Sequence, residues 1–220
     1  MLEAILKRRG KCGVVGTINY RYGGKILPSV HTTPFPHELQ RIFSQMRRSG
    51  VKSAIMEVSS HSLAQRRVDG SEFDCVMFTN LTQDHLDYHG TLENYFNAKK
   101  RLFTELLLNG HKDNKVAVIN VGDGWGKKLC NDLRGKCRVI GVSVPSGKTS
   151  PLRGIPDVYA TKIRMTPHGT KFAAKVFGSN ENFEMKLIGR YNVSNALLSI
   201  AAALSMGSSM KNIKEGLLKL

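Results

Sequence analysis

The segment FDCVMFTNLTQDHLDYHGTLENYFNAKKRLFTELL, residues 73–107, contains the pattern that decides the fold. Its first residues form an apolar run typical of a buried strand, and residues 93–107 have apolar side chains at helical spacing. A polar loop containing aspartates and histidines joins the two. The segment therefore predicts a strand, a loop with side chains suited to metal binding or catalysis, and an amphipathic helix in succession.

The same alternation of strand and helix extends over residues 1 to about 143. Further strands are expected at 12–17, 52–58, 115–120 and 137–143, with helices at 1–10 and from Thr32-Thr33-Pro34 to Gly50, and a turn-rich excursion at 18–31. After a turn-rich connector at 145–154, the segments 157–165, 169–177 and 183–189 favour antiparallel strands, followed by two helices. The predicted fold is α/β, a mostly parallel doubly wound sheet with a small antiparallel β extension.

Composition favours a globular protein, because 41% of the 220 residues are hydrophobic and 23% are charged. No apolar run approaches the length that spans a bilayer, and the amino terminus has no secretory signal pattern. The four cysteines show no CxxC pairing and are expected to be reduced thiols. These features predict a cytoplasmic protein without a membrane partner.

The net charge of +16 indicates a polyanionic partner, which could be nucleic acid, a phosphate-rich small molecule or an acidic surface. No helix-turn-helix, zinc finger or aromatic RNA-binding motif accompanies the charge. Nucleic acid is therefore not favoured as a partner. The charge alone does not decide, because lysines and arginines spread along a chain most often form a solvated basic surface.

Polar residues follow three of the predicted strands. Glu57 and Ser59 end one strand, the loop from Thr79 to Gly90 ends another, and Asn120 and Asp123 follow a third. Ligands of α/β sheets bind at the carboxyl ends of the strands, so this edge is predicted to carry the site.

Four motifs together resemble the Mur ligase family: HTTP (31–34), MEVSSHSLAQRRV (56–68), FTNLTQDHLDYHGTLENYFNAKKRLF (78–103) and GRYNVSNALLSIAAAL (189–204). The resemblance covers the whole chain as the family's central ATP-binding domain. It implies an ATP-dependent amide-bond ligase of peptidoglycan synthesis that adds the third amino acid to UDP-N-acetylmuramoyl-L-alanyl-D-glutamate through an acyl phosphate. The implied partners are that UDP-N-acetylmuramoyl-dipeptide and an amino acid.

The resemblance also assigns metal-binding and catalytic roles. Glu57 and His85 would hold Mg²⁺, and a carboxylate oxygen suits that ion well. Lys99, the first of a lysine pair, occupies the position of a carbamylated lysine, which would provide an anionic oxygen ligand. Lys100 and Arg101 are expected to be solvated neighbours.

The substrate-binding positions implied by the resemblance are Thr32, Thr33, Ser59, Gln65 and Arg67. Asn192 and Asn195 match positions that hold the adenine of ATP. Simpler interpretations remain open: the threonines and asparagines could cap helices, Arg67 could be one member of a solvated pair, and Lys99 could be a surface lysine on an amphipathic helix.

The chain departs from the family pattern in one respect. No GxxxxGK[ST] phosphate loop occurs, and GWGKK (124–128) and SGKTS (146–150) lack the upstream glycine. We therefore expect residues 1–220 to be a central-domain fragment without the phosphate loop or flanking domains, inactive alone. The strand that leads into that loop would be missing, which should leave an unpaired edge or a gap in the sheet.

Two other functions remain open. The chain could be a non-catalytic Mur ligase-like scaffold that binds nucleic acid or protein, or another ligase such as a folylpolyglutamate synthetase. The residues Ser59, Gln65 and Arg67 of the 56–68 motif weigh against both, because all three substrate-facing positions are present.

Overall fold

A computed structural model of the protein describes residues 1–145 and 156–220, so the SGKTS segment lies outside the described residues. The strands are β1 (Cys12–Val15), β2 (Asn19–Tyr22), β3 (Lys25–Pro28), β4 (Ser53–Met56), β5 (Cys75–Phe78), β6 (Val116–Asn120), β7 (Arg138–Ser143), β8 (Val158–Thr166), β9 (Gly169–Val176) and β10 (Ser179–Met185). The helices are α1 (Leu2–Leu6), α2 (Pro36–Arg48), α3 (Ser60–Ala64), α4 (Leu86–His89), α5 (Leu92–Arg101), α6 (Gly124–Leu133), α7 (Arg190–Ser205) and α8 (Met210–Leu217). A π-helical turn, Leu102–Leu107, continues α5.

The strands form two sheets. One has the order β3-β2-β1-β4, with β1 and β4 parallel, and the other has the order β10-β9-β8-β7-β6-β5. Strands β5 to β8 run parallel, whereas β8, β9 and β10 pair antiparallel. The α/β architecture with an antiparallel extension is thus confirmed.

The turn-rich excursion predicted at 18–31 is wrong in detail. Strands β2 and β3 form a hairpin around Gly23 and Gly24 that adds antiparallel strands to β1. Both glycines have positive φ values, 55° and 83°, which the tight turn requires. The hairpin escaped prediction because all four residues of β3, including Ile26, are exposed and therefore show no alternation.

The predicted gap in the sheet lies between β4 and β5. Each strand ends its own sheet, and the groove between them, of about 270 Å³, is lined by residues of both, including Ile55, Cys75 and Met77. Strand β4 was expected to be buried, but Ala54 is exposed and Ile55 is only half-buried. An uncovered edge of this kind leaves backbone N–H and C=O groups without ladder partners.

Helix α7 is the central element of the larger core. Its residues Leu197, Ile200 and Ala201 are fully buried and belong to the same cluster as Val118 on β6 and Ile5 on α1. All four cysteines are free thiols, as expected. Within the described residues, no helix is both long and apolar enough to cross a membrane.

Candidate active site

A cavity of about 850 Å³ opens at the carboxyl ends of β1, β4 and β5. It is lined by eight of the predicted site residues: Thr32, Thr33, Glu57, Ser59, Gln65, Arg67, His85 and Lys99. These residues are separated by up to 67 positions in the sequence and come from four loops and helix α5. The fold therefore brings the predicted metal-binding and substrate-binding residues into one cavity.

Glu57 directly follows β4 and is held by the end of β1. Its Oε2 atom accepts hydrogen bonds from the Thr17 backbone N–H at 3.2 Å and from the Thr17 hydroxyl at 2.8 Å. The neighbouring Gly16 leaves room for this carboxylate, because a Cβ there would lie 3.3 Å from the same oxygen and press on it. One carboxylate oxygen is thus fixed by the protein while the side chain remains exposed. Thr17 was missed by sequence reasoning, although its position at the end of a strand was a usable signal.

The two threonines of the HTTP motif do not cap a helix. Helix α2 begins at Pro36 with Phe35 as its N-cap, so the predicted start at Thr32 and Thr33 was too early. The buried Thr33 hydroxyl donates to the Glu57 carbonyl at 2.9 Å and accepts from the Ser59 N–H at 3.1 Å. Thr33 therefore locks the loop that carries Glu57, and the Thr32 hydroxyl lies 3.1 Å from that of Thr17.

Ser59 and Arg67 are also anchored. The Ser59 side chain caps α3 by accepting from the Ser62 N–H at 3.1 Å. Arg67 donates to the side-chain Oε1 of Gln65 at 2.8 Å and to the backbone carbonyl of Thr33 at 3.0 Å. Its guanidinium lies 4.2 Å from the centre of the Phe35 ring. The interpretation of Arg67 as a solvated residue is therefore wrong.

His85 lies in a cluster of aromatic and imidazole rings. Its backbone has a φ of 55°, a left-handed conformation that non-glycine residues rarely adopt. The His61 ring lies 4.9 Å away and the Tyr95 ring 5.8 Å away, measured between ring centres. His89 stacks on Tyr95 and lies 3.0 Å from the Ser60 hydroxyl. The left-handed backbone of His85 is a sparsely populated conformation, which persists where the surrounding contacts hold the residue in place.

Lys99 projects from α5 into the cavity. Its amino group lies 5.1 Å from the centre of the Tyr95 ring. Burial lowers the pKa of the Lys99 ammonium, although the negative charges of Glu57 and Asp84 oppose the shift. A lowered pKa increases the fraction of neutral amine, which is the reactive form of lysine.

The neighbours of Lys99 have structural roles. Lys100 forms an ion pair with Asp132 at 2.7 Å, and Arg101 pairs with Asp69 at 2.6 Å and Glu105 at 2.7 Å. The side chain of Arg101 is only 11% exposed. The expectation that both were solvated is therefore wrong, and the cavity receives Lys99 alone from the run of three.

Asn192 and Asn195 do not line the cavity. They lie in the first turns of α7, whose N-cap is Gly189, so neither caps the helix. The Asn192 side chain donates to the Ile188 carbonyl at 2.9 Å, and the Asn195 side chain is exposed. The Arg190 side chain donates to the Pro145 carbonyl, two residues after β7, so α7 begins at the same edge of the sheet as the cavity.

Asn120 and Asp123, at the third strand end, organise loops. The Asn120 amide donates to the Thr79 carbonyl at 2.8 Å, and Asp123 caps α6 through the N–H groups of Trp125 and Gly126. These contacts hold the end of β6 against the end of β5.

The side chains of the cavity provide only part of the ligand set that a magnesium ion requires. Within the described ranges, no three His, Cys, Asp or Glu side chains are arranged to hold one metal ion. Glu57 and the hydroxyls of Thr17 and Thr32 supply hard oxygen atoms of the kind Mg²⁺ prefers, whereas the Lys99 ammonium cannot be a ligand. Carbamylation of Lys99 would add the anionic oxygen that the set lacks.

The sequence and the fold also match known proteins. Residues 1–203 match the model of the Mur ligase middle domain. The chain belongs to the Mur ligase family. A UDP-N-acetylmuramoyl-L-alanyl-D-glutamate–2,6-diaminopimelate ligase from Geobacter metallireducens is 40% identical over 99% of this chain, and one from Clostridium acetobutylicum is 39% identical over 100%.

Solved Mur ligase structures share the fold. A structure of UDP-N-acetylmuramoyl-L-alanyl-D-glutamate–2,6-diaminopimelate ligase superimposes with a TM-score of 0.84 at 28% identity and covers the whole chain. The Mycobacterium tuberculosis folylpolyglutamate synthase, with a TM-score of 0.70 at 13% identity, shares the fold alone. The chain spans about 41–42% of the length of these two curated ligases and of the first structure.

Proposed function

We propose that this chain is the central domain of an ATP-dependent ligase that joins 2,6-diaminopimelate to UDP-N-acetylmuramoyl-L-alanyl-D-glutamate. The observation that carries the proposal is the convergence of Glu57, His85 and Lys99 with the substrate-type residues in one cavity. In this reaction the γ-phosphoryl group of ATP passes to the substrate carboxylate. That transfer releases ADP, and the amine of diaminopimelate then attacks the acyl phosphate, which gives an amide and phosphate.

The residues of the cavity meet the main physical demand of this reaction, which is to bring two anionic reactants together in a fixed orientation. Arg67, held by Gln65 and Thr33, presents a fixed cation beside the cavity. Glu57, His85 and carbamylated Lys99 would hold Mg²⁺, which supplies charge compensation for the phosphate oxygens. Asn192 and Asn195 would contact the adenine from the start of α7.

The carbamate on Lys99 forms when the neutral amine attacks carbon dioxide and loses one proton. An exposed lysine has a pKa of about 10.4 and is almost entirely protonated at neutral pH. The buried setting that lowers the pKa of Lys99 favours the first step. Hard cations beside the product would then stabilise its negative charge.

The identity of the amino acid rests on the relatives, because the two curated relatives compared above are both named as diaminopimelate ligases. We place the reaction in the cytoplasm. Free thiols support this, and burial raises the pKa of Cys75 to about 11, which keeps that thiol unreactive.

A chimera tests the proposal. Residues 1–220 would replace the matching segment of the Geobacter metallireducens ligase, which supplies the phosphate loop and the rest of the enzyme. We expect ATP-dependent formation of UDP-N-acetylmuramoyl-tripeptide from diaminopimelate, followed by mass spectrometry of the product. A folded chimera that releases no phosphate with this substrate, or that prefers a folate, would contradict the proposal.

The chain alone provides the matched comparison. Its 220 residues contain no GxxxxGK[ST] motif, and in enzymes with that loop, backbone N–H groups and a lysine bind the β- and γ-phosphates. Loss of one such donor costs about 100-fold or more in rate. We expect phosphate release by the isolated chain to stay at background under conditions where the chimera turns over.

A further inference from the structure

The edge of the parallel strands opposite the cavity concentrates the positive charge of the protein. Five segments lead into the parallel strands β1, β4, β5, β6 and β7: residues 7–11, 47–52, 70–74, 109–115 and 134–138. Together they contain twelve lysines and arginines against three carboxylates, which is a net +9 of the chain's +16. We call these five segments the basic edge.

The segments of the basic edge are neighbours in space. The Lys52 N–H donates to the Lys11 carbonyl at 2.8 Å, and the Arg138 N–H donates to the Lys115 carbonyl at 3.3 Å. Lys52 and Asp74 both line the groove between the two sheets. Adjacent strands lie about 4.8 Å apart, so five strands and the groove place these cations along roughly 24 Å.

Three of the twelve cations are paired with carboxylates: Lys7 with Glu3, Arg8 with Glu215 and Lys112 with Asp74. Five others are available to a ligand. Arg47, Arg48, Lys52, Lys136 and Arg138 are all exposed. In the described part of the chain, none of them has a carboxylate within 4.0 Å. Cations at the end of a helix offset its dipole, which accounts for Arg47 and Arg48 at the end of α2. That effect does not account for Lys52, Lys136 and Arg138, which lie outside helices.

We infer that the basic edge binds the phosphate backbone of double-stranded nucleic acid, without reading its sequence. Backbone binding requires cations near phosphates and nothing else. Single-stranded binding uses exposed aromatic rings, and the five segments contain only the half-buried Phe73. Peripheral membrane binding usually adds inserted apolar side chains, and none of the exposed large hydrophobic residues lies in these segments.

This surface is separate from the proposed ligase site. The cavity lies at the carboxyl ends of the same strands, so the two ligands would occupy opposite edges of the sheet. Duplex binding should therefore neither require ATP nor compete with the UDP-linked substrate. No single motif marks the basic edge, because its charges come from five separate segments.

Fluorescence anisotropy with a duplex of about 20 base pairs tests the inference on the 220-residue chain. The variant Arg48→Gln/Lys52→Gln/Lys136→Gln/Arg138→Gln removes four edge cations. The control, Lys127→Gln/Lys162→Gln/Arg164→Gln/Lys186→Gln, removes the same charge from exposed positions outside the basic edge. We expect the edge variant to bind at least about tenfold more weakly at 100 mM KCl, with its salt slope reduced by up to about 4, and the control to change little.

Three results would overturn the inference: equal weakening in both variants, no duplex binding by the wild type at 50 mM KCl, or tighter binding to phosphatidylserine vesicles than to the duplex. Circular dichroism checks that both variants are folded. Lysine acetylation of the wild-type chain gives a second reading that needs no variant. Bound duplex should protect Lys52 and Lys136 but not Lys127, and protection of all three or of none would equally refute the basic edge as the site.

Discussion

The parallel strands have polar residues at both ends: the cavity lies at their carboxyl ends and the basic edge at their amino ends. The two sets of residues differ in how firmly their side chains are held. At the carboxyl edge, Glu57, Thr33 and Arg67 are held by specific hydrogen bonds to backbone and side-chain atoms. At the amino edge, Lys136 and Arg138 are exposed and unpaired within the described ranges. The difference indicates that the first edge is built to place individual atoms and the second to present net charge.

The largest effect is expected from Lys99, because the carboxyl edge depends on single atoms. In the chimera, Lys99→Ala removes the only lysine of the 99–101 run that enters the cavity and should abolish ligation, with a loss of about 1,000-fold or more. Lys100→Ala removes only the ion pair with Asp132 and should cost less than about threefold. Steady-state phosphate release measures both. Equal losses in the two variants would show that the wrong lysine has been assigned.

A smaller effect is expected at Thr17, which lines the cavity and holds the Glu57 carboxylate. Thr17→Val removes the 2.8 Å hydrogen bond to Oε2 but leaves the backbone N–H bond in place. We expect kcat to fall about tenfold and the Mg²⁺ requirement to rise, since one hydrogen bond to a charged group contributes about 1.5–3 kcal/mol. Thr17→Ser, which keeps the hydroxyl, should restore most of the activity. Failure of the serine variant would mean that the methyl group, not the hydrogen bond, is needed.

Arg67 and Arg66 are adjacent in the sequence but differ in environment, since the guanidinium of Arg67 is fixed by hydrogen bonds and that of Arg66 faces solvent. Arg67 is fixed against Gln65, Thr33 and the Phe35 ring, whereas Arg66 is exposed and, among the residues that the structure describes, pairs only with Asp69. Arg67→Lys should raise the KM for the UDP-linked dipeptide several-fold, because lysine cannot reproduce the planar contacts. Arg66→Lys should leave that KM unchanged, and a similar rise in both variants would contradict the assignment.

The smallest effect is expected on the free energy of unfolding, at Glu3. Its carboxylate accepts hydrogen bonds from Arg21 and forms an ion pair with Lys7 of the basic edge. Hydrogen bonds from Arg21 lower the pKa of Glu3 to about 2. Because the folded-state pKa lies below the ordinary value, the stabilisation is present above about pH 4.5 and is lost as the pH falls through about 2. Glu3→Gln should reduce the free energy of unfolding by about 1–2 kcal/mol at pH 7, and by much less at pH 2. Urea unfolding at both pH values measures this, with Glu184→Gln at an exposed position as the control.

The sequence predicted the strand ends well because buried strands and polar loops alternate clearly there. It could not predict the partners of side chains that meet across the fold, such as Thr17 with Glu57 or Arg101 with Asp69. The hairpin at 19–28 was missed because its exposed strand shows no periodicity. The basic edge was also invisible, since its five segments become neighbours only when the sheets form.

The central claim is that the carboxyl edge holds a carbamylated Lys99. The most direct test is ¹³C nuclear magnetic resonance of the protein in ¹³C-labelled bicarbonate with Mg²⁺, over a range of pH. We predict one carbamate signal that strengthens as the pH rises and the amine is deprotonated, persists in Lys100→Ala and is absent from Lys99→Ala. A signal that survives in Lys99→Ala, or no signal from the chimera while it is active, would contradict the account.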